Sequence, residues 1–194
     1  MSQVVADMSV SLDGFVADPG DGVQDVFAWY AKPQPEQSPR EPAGEAAAMG
    51  LGVIVYGRRT FELARGWDGR HPTGAPVVVL THSIPEGWPR ADSTVSFDTA
   101  GIESAMAMAG KIAGDKVIAL GSPSIIQQCL DLGLVERIQV KLVPVLLGNG
   151  IRMFGSLAKA PLELGNPQVW QGNGVTHLYY EVARPGSSTG GAES

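Results

Sequence analysis

The segment VIVYGRRTFE, residues 53–62, indicates the fold class of this 194-residue chain. Its first four residues form an apolar run without polar alternation, which predicts a central strand covered by helices on both faces. Gly57 then ends the strand, and Arg58, Arg59 and Thr60 open a helix. Because strands followed directly by helices are the building units of α/β sheets, the segment predicts an α/β protein.

The rest of the chain repeats this alternation of apolar runs and helical stretches. We predict strands at 4–10, 53–56, 76–80, 95–97, 117–120, 138–147 and 175–182, and helices at 44–50, 59–65, 102–113 and 123–132. In the last strand, Val175, His177 and Tyr179 fall on one face and Thr176, Leu178 and Tyr180 on the other. Asn173 and Gly174 can form a turn before it, so we expect an antiparallel hairpin between 162–170 and 175–182.

The length fits one domain, which we place at residues 1–183, with a Gly- and Ser-rich tail at 184–194 that we expect to be disordered. Residues 32–42 contain four prolines and predict an irregular excursion. The single cysteine, Cys129, lies at helical spacing from Ile125 and Ile126 and is interpreted as a core residue. One cysteine and three scattered histidines, His71, His82 and His177, predict no metal site.

Charge and hydropathy narrow the range of partners. The net charge of −6 argues against nucleic acid, which normally requires a basic surface. No apolar run is long enough to cross a bilayer, and the first residues do not resemble a secretory signal, so we expect no membrane association and a cytoplasmic location.

Three strand ends carry groups suited to anions. Gly57 to Thr60 offer backbone amides, a hydroxyl and two guanidinium groups, although an Arg pair beside a helix start is equally consistent with solvent exposure. At the second strand end, Ser122 can cap a helix with Pro123 in its first position, which leaves the amides of residues 124–126 free; an ordinary capped helix is the alternative.

The third strand end is PVVVLTHS, residues 76–83, which places Thr81, His82 and Ser83 where open α/β sheets bind ligands. These residues can bind a phosphate or simply form the turn into the next loop. The spacing of glycines at residues 57 and 121 matches neither the G-x-G-x-x-G fingerprint nor a P-loop. Three anion-binding turns together nevertheless predict a dinucleotide site.

A set of ordered motifs makes this prediction specific. SVSLDGFVADPG (9–20), VIVYGRRTFE (53–62), Gly66-Trp67, PVVVLTHS (76–83), residues 116–154 and GVTHLYYEV (174–182) resemble the reductase domain of riboflavin-biosynthesis deaminase-reductases and its stand-alone relatives. The resemblance covers about residues 4–182. It implies the dihydrofolate-reductase-like three-layer α/β/α fold, with a mixed, mostly parallel central sheet, and an NADPH-dependent reductase.

The resemblance also assigns residues. It implies that Val16 and Ala17 flank the nicotinamide and that three further groups hold the phosphates: Gly57, Arg58, Arg59 and Thr60; Leu80, Thr81, His82 and Ser83 around the 2′-phosphate; and Gly121, Ser122, Ser124 and Ile125 at the diphosphate. Asp13, in the SLDG segment, is the candidate catalytic residue, and either orients substrate or fixes the turn.

Two departures from the family pattern bear on the reaction. Relatives usually carry Gly-Gly where this chain has Gly121-Ser122, at a turn that is cis in dihydrofolate reductases. The carboxylate that binds the pterin in those enzymes has only Glu41 and Glu45 as counterparts, and both are more typical of a surface helix start. We therefore expect a small heterocyclic or carbonyl acceptor other than dihydrofolate.

The substrate pocket is expected to be walled by aromatic side chains from the early loop and from the region after the Gly57–Thr60 turn. We assign Phe27, Trp29, Tyr30 and Trp67 to it, and Phe61 to the core. A protein that holds NADPH without turnover would show the same phosphate motifs and is the alternative function. Because residues 132–150 resemble segments that pair sheets in family dimers, we also expect a homodimer.

Overall fold

An eight-stranded sheet forms the centre of the protein. The structure is a computed structural model and describes residues 2–33 and 50–183. Its strand order is β5-β4-β3-β6-β1-β7-β10-β9, and β2 and β8 form a separate two-stranded pair. The strands are β1 Val4–Ser11, β2 Phe15–Ala17, β3 Leu51–Gly57, β4 Val77–Leu80, β5 Val95–Asp98, β6 Val117–Leu120, β7 Arg137–Val143, β8 Ile151–Arg152, β9 Gln168–Gly172 and β10 Val175–Glu181.

The sheet is parallel from β5 through β7 and antiparallel at β10 and β9. Strand β1 lies in the middle, paired with β6 through Val4 and Ile118 and with β7 through Val5 and Arg137. The carboxyl ends of the parallel strands therefore lie along one edge of the sheet, where such sheets bind their ligands.

Helices cover both faces of the sheet. On one face, α3 (Ile102–Ala113) and α4 (Pro123–Asp131) bury Ala105, Ala109, Ile126 and Cys129 against strand residues such as Val53. On the other face, Phe61 of α2 (Arg58–Leu63) packs on Val77 and Val79, and Trp29 packs on Val143 and Val175. Trp29 belongs to a 3-10 helix, Ala28–Ala31, that follows α1 (Gln24–Phe27). The predicted three-layer arrangement with a mixed, mostly parallel central sheet is confirmed.

The predicted core positions of Cys129 and Phe61 are also confirmed. Cys129 is fully buried, and burial raises the pKa of its thiol to about 12, so the thiol is not an activated nucleophile. Phe61 packs edge-on against the rings of Trp88 and Phe97. The predicted helix at 44–50 and the tail at 184–194 lie outside the described residues, apart from Gly50.

The largest differences from prediction concern β7, the hairpin and one short strand pair. The strand predicted at 138–147 ends at Val143, because Pro144 follows and has no N–H to donate to a neighbouring strand. The hairpin partner of β10 is residues 168–172 rather than 162–170, although the turn at Asn173 and Gly174 is confirmed by the positive φ of Gly174, 77°. The β2–β8 pair was not predicted, since segments of two and three residues show no periodicity.

The predicted dimer contact needs revision. We expected residues 132–150 to pair sheets across a dimer, but β7 is hydrogen-bonded to β1 on one side and to β10 on the other. Its edges are therefore occupied. Of the strands in the described sheet, only β5 and β9 stand at an edge, so pairing between copies would have to use one of them.

None of the helices formed by residues 2–33 and 50–183 has the length and apolar composition needed to span a membrane.

Candidate functional site

The turns after β3 and β6 are joined by hydrogen bonds. The Gly57 amide donates to Ser122 Oγ at 3.0 Å, and Ser122 Oγ lies 2.7 Å from Thr60 Oγ1. The contact is close, because a Cβ on Gly57 would lie 3.3 Å from Ser124 Oγ. The first two predicted anion-binding turns therefore form one continuous surface.

The third turn joins the same surface through Arg58. Its Nη1 donates to the carbonyl of Ser83 at 2.7 Å and lies 3.4 Å from Thr81 Oγ1. Thr81 Oγ1 also donates to the Ser83 carbonyl, at 2.8 Å, which fixes the turn. The three strand ends singled out in the sequence are thus brought together at the carboxyl edge of the sheet.

A cleft of about 1500 Å³ runs from these turns onto the face of the sheet that carries Trp29 and Phe61. Most of the predicted site residues line it: Val16, Ala17, Gly57, Arg58, Arg59, Thr60, Leu80, Thr81, His82, Gly121, Ser122, Ser124 and Ile125 at the predicted cofactor end, and Phe27, Tyr30 and Trp67 at the predicted substrate end. Asp13, Trp29 and Ser83 do not line the cleft.

Helix α4 differs from the predicted anion site in its first turn. Ser122 stands at the N-cap and Pro123 at the first position, as predicted, but the Ser122 side chain bonds Gly57 instead of capping the helix. The amides of Ile125 and Ile126, which we expected to be free, both donate to the Ser122 carbonyl, at 3.1 and 2.9 Å. Within the described residues both cis peptides precede proline, so the Gly121–Ser122 bond is trans.

Asp13 holds a turn together. Its carboxylate accepts hydrogen bonds from Ser11 Oγ at 2.6 Å, from the Leu147 amide at 3.2 Å and from the Gly148 amide at 2.7 Å. The Ser11 hydroxyl is the main cause that lowers the pKa of Asp13. Of the two roles considered for this residue, these contacts support fixing the turn, and Asp13 does not line the cleft.

Trp29 is a core residue, which corrects its assignment to the pocket wall. Its side chain is fully buried, its indole Nε1 donates to Ser9 Oγ at 3.1 Å, and its ring meets His177 edge-on at 5.4 Å. The neighbouring Tyr30 packs against Trp29, with their ring centroids 4.1 Å apart, and lines the cleft. The early loop therefore supplies Phe27 and Tyr30 to the pocket and uses Trp29 to anchor itself to the sheet.

Arg59 makes an ion pair with the loop after β2. Its guanidinium lies 2.6 Å from the carboxylate of Asp21, and both side chains line the cleft. The Arg59 side chain is 65% exposed, so the pair is screened by solvent and contributes little to stability. Asp21 raises the pKa of Arg59, mainly through their hydrogen bond. The guanidinium stays charged and accessible to an anion.

The cleft also contains a charged pair that sequence reasoning missed. Lys141 Nζ lies 2.6 and 2.7 Å from the two carboxylate oxygens of Asp7. Both residues line the cleft, on adjacent strands of the sheet. A signal was present in the sequence, since each is a charged residue inside an apolar run predicted to be a strand, and buried charges are rare unless they are paired.

A second missed group surrounds Tyr56. Its hydroxyl lies 3.1 Å from His71 Nε2, and its ring stacks on Trp67 with centroids 4.7 Å apart. Burial lowers the pKa of His71 to about 4, so the imidazole is neutral near pH 7. Burial, and next the charge of Asp7, raise the pKa of Tyr56, so its hydroxyl keeps its proton.

Among the described residues, no three His, Cys, Asp or Glu side chains form a group that could bind a metal ion.

Comparison with protein families identifies the chain. The model of the RibD C-terminal domain matches residues 2–171. The chain belongs to the RibD C-terminal domain family. This membership supports a reductase role. None of the curated proteins compared with the chain matches it.

Solved structures share the fold of this family member at low sequence identity. A protein of Shewanella sp. PV-4 named for riboflavin biosynthesis has a TM-score of 0.70 and 23% identity, over 95% of this chain and 100% of the other. The diaminohydroxyphosphoribosylaminopyrimidine deaminase/5-amino-6-(5-phosphoribosylamino)uracil reductase of Thermotoga maritima has a TM-score of 0.62 and 15% identity, over 94% of this chain and 57% of the other.

Dihydrofolate reductase of Enterococcus faecalis, solved with NADP(H), is a third similar structure. Its TM-score is 0.58 at 14% identity, and the match covers 94% of this chain and 97% of the reductase. The RibD C-terminal domain described here therefore has a dihydrofolate-reductase-like fold.

Proposed function

We propose that this protein is an NADPH-dependent reductase that transfers a hydride to a small heterocyclic or carbonyl acceptor. The observation that carries the proposal is the convergence of three separate turns on one cleft, through the contacts of Ser122 with Gly57 and Thr60 and of Arg58 with Ser83. One extended dinucleotide has several phosphates to be held at once, and three adjoining turns are what that requires.

The cofactor end of the cleft offers groups suited to phosphates. Arg58 and Arg59 supply guanidinium groups, Thr60 and Ser124 supply hydroxyls, and His82 lies beside Thr81 at the position proposed for the 2′-phosphate. The backbone can approach closely at Gly57 and Gly121. At Gly121 a Cβ would come within 2.2 Å of the Tyr56 ring, so the turn is already closely packed without a side chain.

The acceptor end is lined by Phe27, Tyr30 and Trp67. In our proposal the nicotinamide lies between these aromatic residues and the short strand β2, where Val16 and Ala17 are 5% and 4% exposed. When bound, NADPH supplies the hydride, and the protein contributes position and the exclusion of water. Apolar walls around a few polar groups are typical of small-molecule sites.

We further propose a cytoplasmic homodimer. A single, buried cysteine suits a reducing compartment, where disulfides are rare.

The proposed dimer surface is strand β9, which stands at an edge of the described sheet. Its apolar side chains Val169 and Trp170 have exposed fractions of 55% and 37% and could contact a second copy. Light scattering of the purified protein tests the dimer, and a monomer at micromolar concentration contradicts it.

The cofactor proposal is tested by thermal shift with NADPH, NADH and flavins, followed by an assay of NADPH oxidation with pterins, pyrimidine derivatives, quinones and nitro compounds. We expect NADPH to raise the melting temperature more than NADH does, and at least one acceptor to be reduced. Binding of NADPH without reduction of any acceptor would instead support a nucleotide-binding protein. Absence of an NADPH shift would remove the proposal.

A further inference from the structure

The Asp7–Lys141 pair presents a carboxylate to the cleft. The Lys141 side chain is 4% exposed, whereas that of Asp7 is 29% exposed, so the lysine lies beneath and the carboxylate faces outward. Lys141 Nζ contacts both carboxylate oxygens at 2.6 and 2.7 Å, which fixes the orientation of the carboxylate. A carboxylate held in this way keeps lone pairs for further hydrogen bonds and can only accept them.

The position of the pair follows from the strand register. Asp7 is paired with Gln139, and Ser9 with Lys141, so Asp7 and Lys141 are diagonal neighbours on one face of β1 and β7. Gln139 lines the cleft beside them and donates its amide to the Tyr179 hydroxyl at 3.2 Å. The carboxylate therefore stands on central strands, which hold a side chain more rigidly than a loop does.

The Tyr56 hydroxyl is a hydrogen-bond donor in the same cleft. The Thr73 amide donates to His71 Nδ1 at 3.3 Å, so this nitrogen is the unprotonated one in the neutral ring. The Thr73 hydroxyl also donates to Nδ1, at 2.8 Å, and accepts from the Ala75 amide at 3.3 Å. The ring proton is consequently on Nε2.

This tautomer sets the direction of the next hydrogen bond. His71 Nε2–H donates to the Tyr56 oxygen at 3.1 Å, and among the described residues His71 is the hydrogen-bond partner of that hydroxyl. The proton of Tyr56 is therefore left for a group in the cleft. The Tyr56 ring lies over Gly121, because a Cβ on that residue would come within 2.2 Å of Tyr56 Cε1. Gly121 follows Leu120, which pairs with Ala6, the residue before Asp7, so the Tyr56 ring and the Asp7 carboxylate belong to neighbouring parts of one cleft wall.

We propose that Asp7 and Tyr56 are the polar residues that bind the hydride acceptor, with Lys141 and His71 as the positioning residues behind them. Asp7 accepts from an N–H of the acceptor, and Tyr56 donates to an adjacent oxygen or ring nitrogen. The substrate class is then a planar compound with a donor and an acceptor side by side, as in a lactam or amidine edge. Simple ketones and quinones lack the N–H that Asp7 requires.

This inference rests on the proposed function, but it can fail separately. The probe is 2-pyridone, whose N–H adjoins its carbonyl, and the matched control ligand is N-methyl-2-pyridone, which lacks the N–H. Binding of each to the full chain saturated with NADP⁺ is measured by ligand-observed NMR. We expect wild-type protein to bind 2-pyridone at least about tenfold more tightly than the N-methyl compound.

Variants of Asp7 test whether this residue causes the preference for 2-pyridone. Asp7→Asn should reduce the preference to about twofold or less, since the amide no longer offers a charged acceptor. The double variant Asp7→Asn/Lys141→Leu removes both charges of the pair and avoids leaving the buried lysine beside a neutral side chain in place of its carboxylate. Glu181→Gln breaks the exposed cross-strand pair with Arg137 outside the cleft and should keep the preference.

Tyr56→Phe should weaken binding of both ligands about tenfold, because both keep the carbonyl. Tyr180→Phe, on the opposite face of the sheet among core residues, serves as its control. NADPH affinity should be unchanged in the Asp7 and Tyr56 variants. If wild-type protein shows no preference for 2-pyridone, or if the Asp7 variants retain it, the inference is overturned while NADPH binding still decides the proposed function.

Discussion

Ser122 Oγ lies 2.7 Å from Thr60 Oγ1 and also accepts the Gly57 amide at 3.0 Å, although more than 60 residues separate the two turns. This hydroxyl holds the turns after β3 and β6 at a fixed distance. A helix cap, the role predicted for Ser122 from the sequence, would have used the same oxygen within its own helix.

Replacing Ser122 with alanine should lower the free energy of unfolding by about 1–3 kcal/mol, because the buried Gly57 amide loses its acceptor. Urea denaturation measures this change. Ser156→Ala, at an exposed position, should change the free energy by less than about 0.5 kcal/mol. Equal stability of the two variants would show that Ser122 does not join the turns.

Arg58→Ala should weaken NADPH binding by about 1–3 kcal/mol through the loss of a charge-assisted contact. NADH, which lacks the 2′-phosphate, should lose less, because Arg58 reaches toward Thr81 and Ser83. Calorimetry with both nucleotides measures the difference. Arg65→Ala removes the same charge outside the cleft and should leave both affinities unchanged. An unaltered NADPH affinity in Arg58→Ala would take this arginine out of the site.

Stability should fall as the pH is lowered from 7 to 5. Burial lowers the pKa of His71 to about 4, so unfolded chains bind a proton near pH 6.5 that the folded protein does not. The loss from His71 should be on the order of 1 kcal/mol at pH 5, because solvent screens a ring that is partly exposed. Burial and then the charge of Lys141 lower the pKa of His177, which adds to the loss in the same direction.

The pH effect is checked by urea denaturation at pH 7 and pH 5. His71→Gln should reduce the difference between the two values, and His82→Gln, at an exposed position, should preserve it. A His71→Gln variant with the wild-type difference would contradict the assignment.

Gly121→Ala should destabilise the protein, because the added Cβ would lie 2.2 Å from Tyr56 Cε1 and would push the ring away from His71. The expected loss is about 1–3 kcal/mol, as for other overpacked sites. Gly110→Ala is the matched control. Gly110 lies inside α3 with open space around its Cα, so alanine should stabilise the helix by about 0.5–1 kcal/mol. Thermal unfolding of both variants measures these opposite changes.

The sequence predicted those parts of the fold that depend on local pattern. Apolar runs such as Val53 to Tyr56 and Val117 to Leu120 became parallel strands, and the strand-to-helix turns at Gly57 and Gly121 face one cleft. Cooperation between distant residues could not be predicted. The sequence is compatible with two roles for Ser122, as a cap of its own helix or as a partner of Gly57. Only the packing of β6 beside β3 decides between these roles.

The substrate end was predicted less well than the cofactor end for a related reason. Trp29 and Tyr30 are adjacent aromatic residues in a short 3-10 helix, and the turn of the chain alone determines that Trp29 is buried and Tyr30 lines the cleft. Asp7 and Lys141 are 134 residues apart, and their contact depends on the register of β1 against β7. Such pairs are determined by tertiary structure. In the sequence, the only indication of them is a single charged residue inside an apolar run.

The central place of β1 has a consequence for how the chain folds. Strand β1, Val4–Ser11, comes before both of its sheet neighbours in the sequence, and these begin only at Val117 and Arg137. During synthesis, β1 is therefore made well before either neighbour exists, whereas β3 and β4 lie close in sequence and can associate earlier. Closure of such long loops is slow, so completion of the sheet around β1 is expected to limit the folding rate.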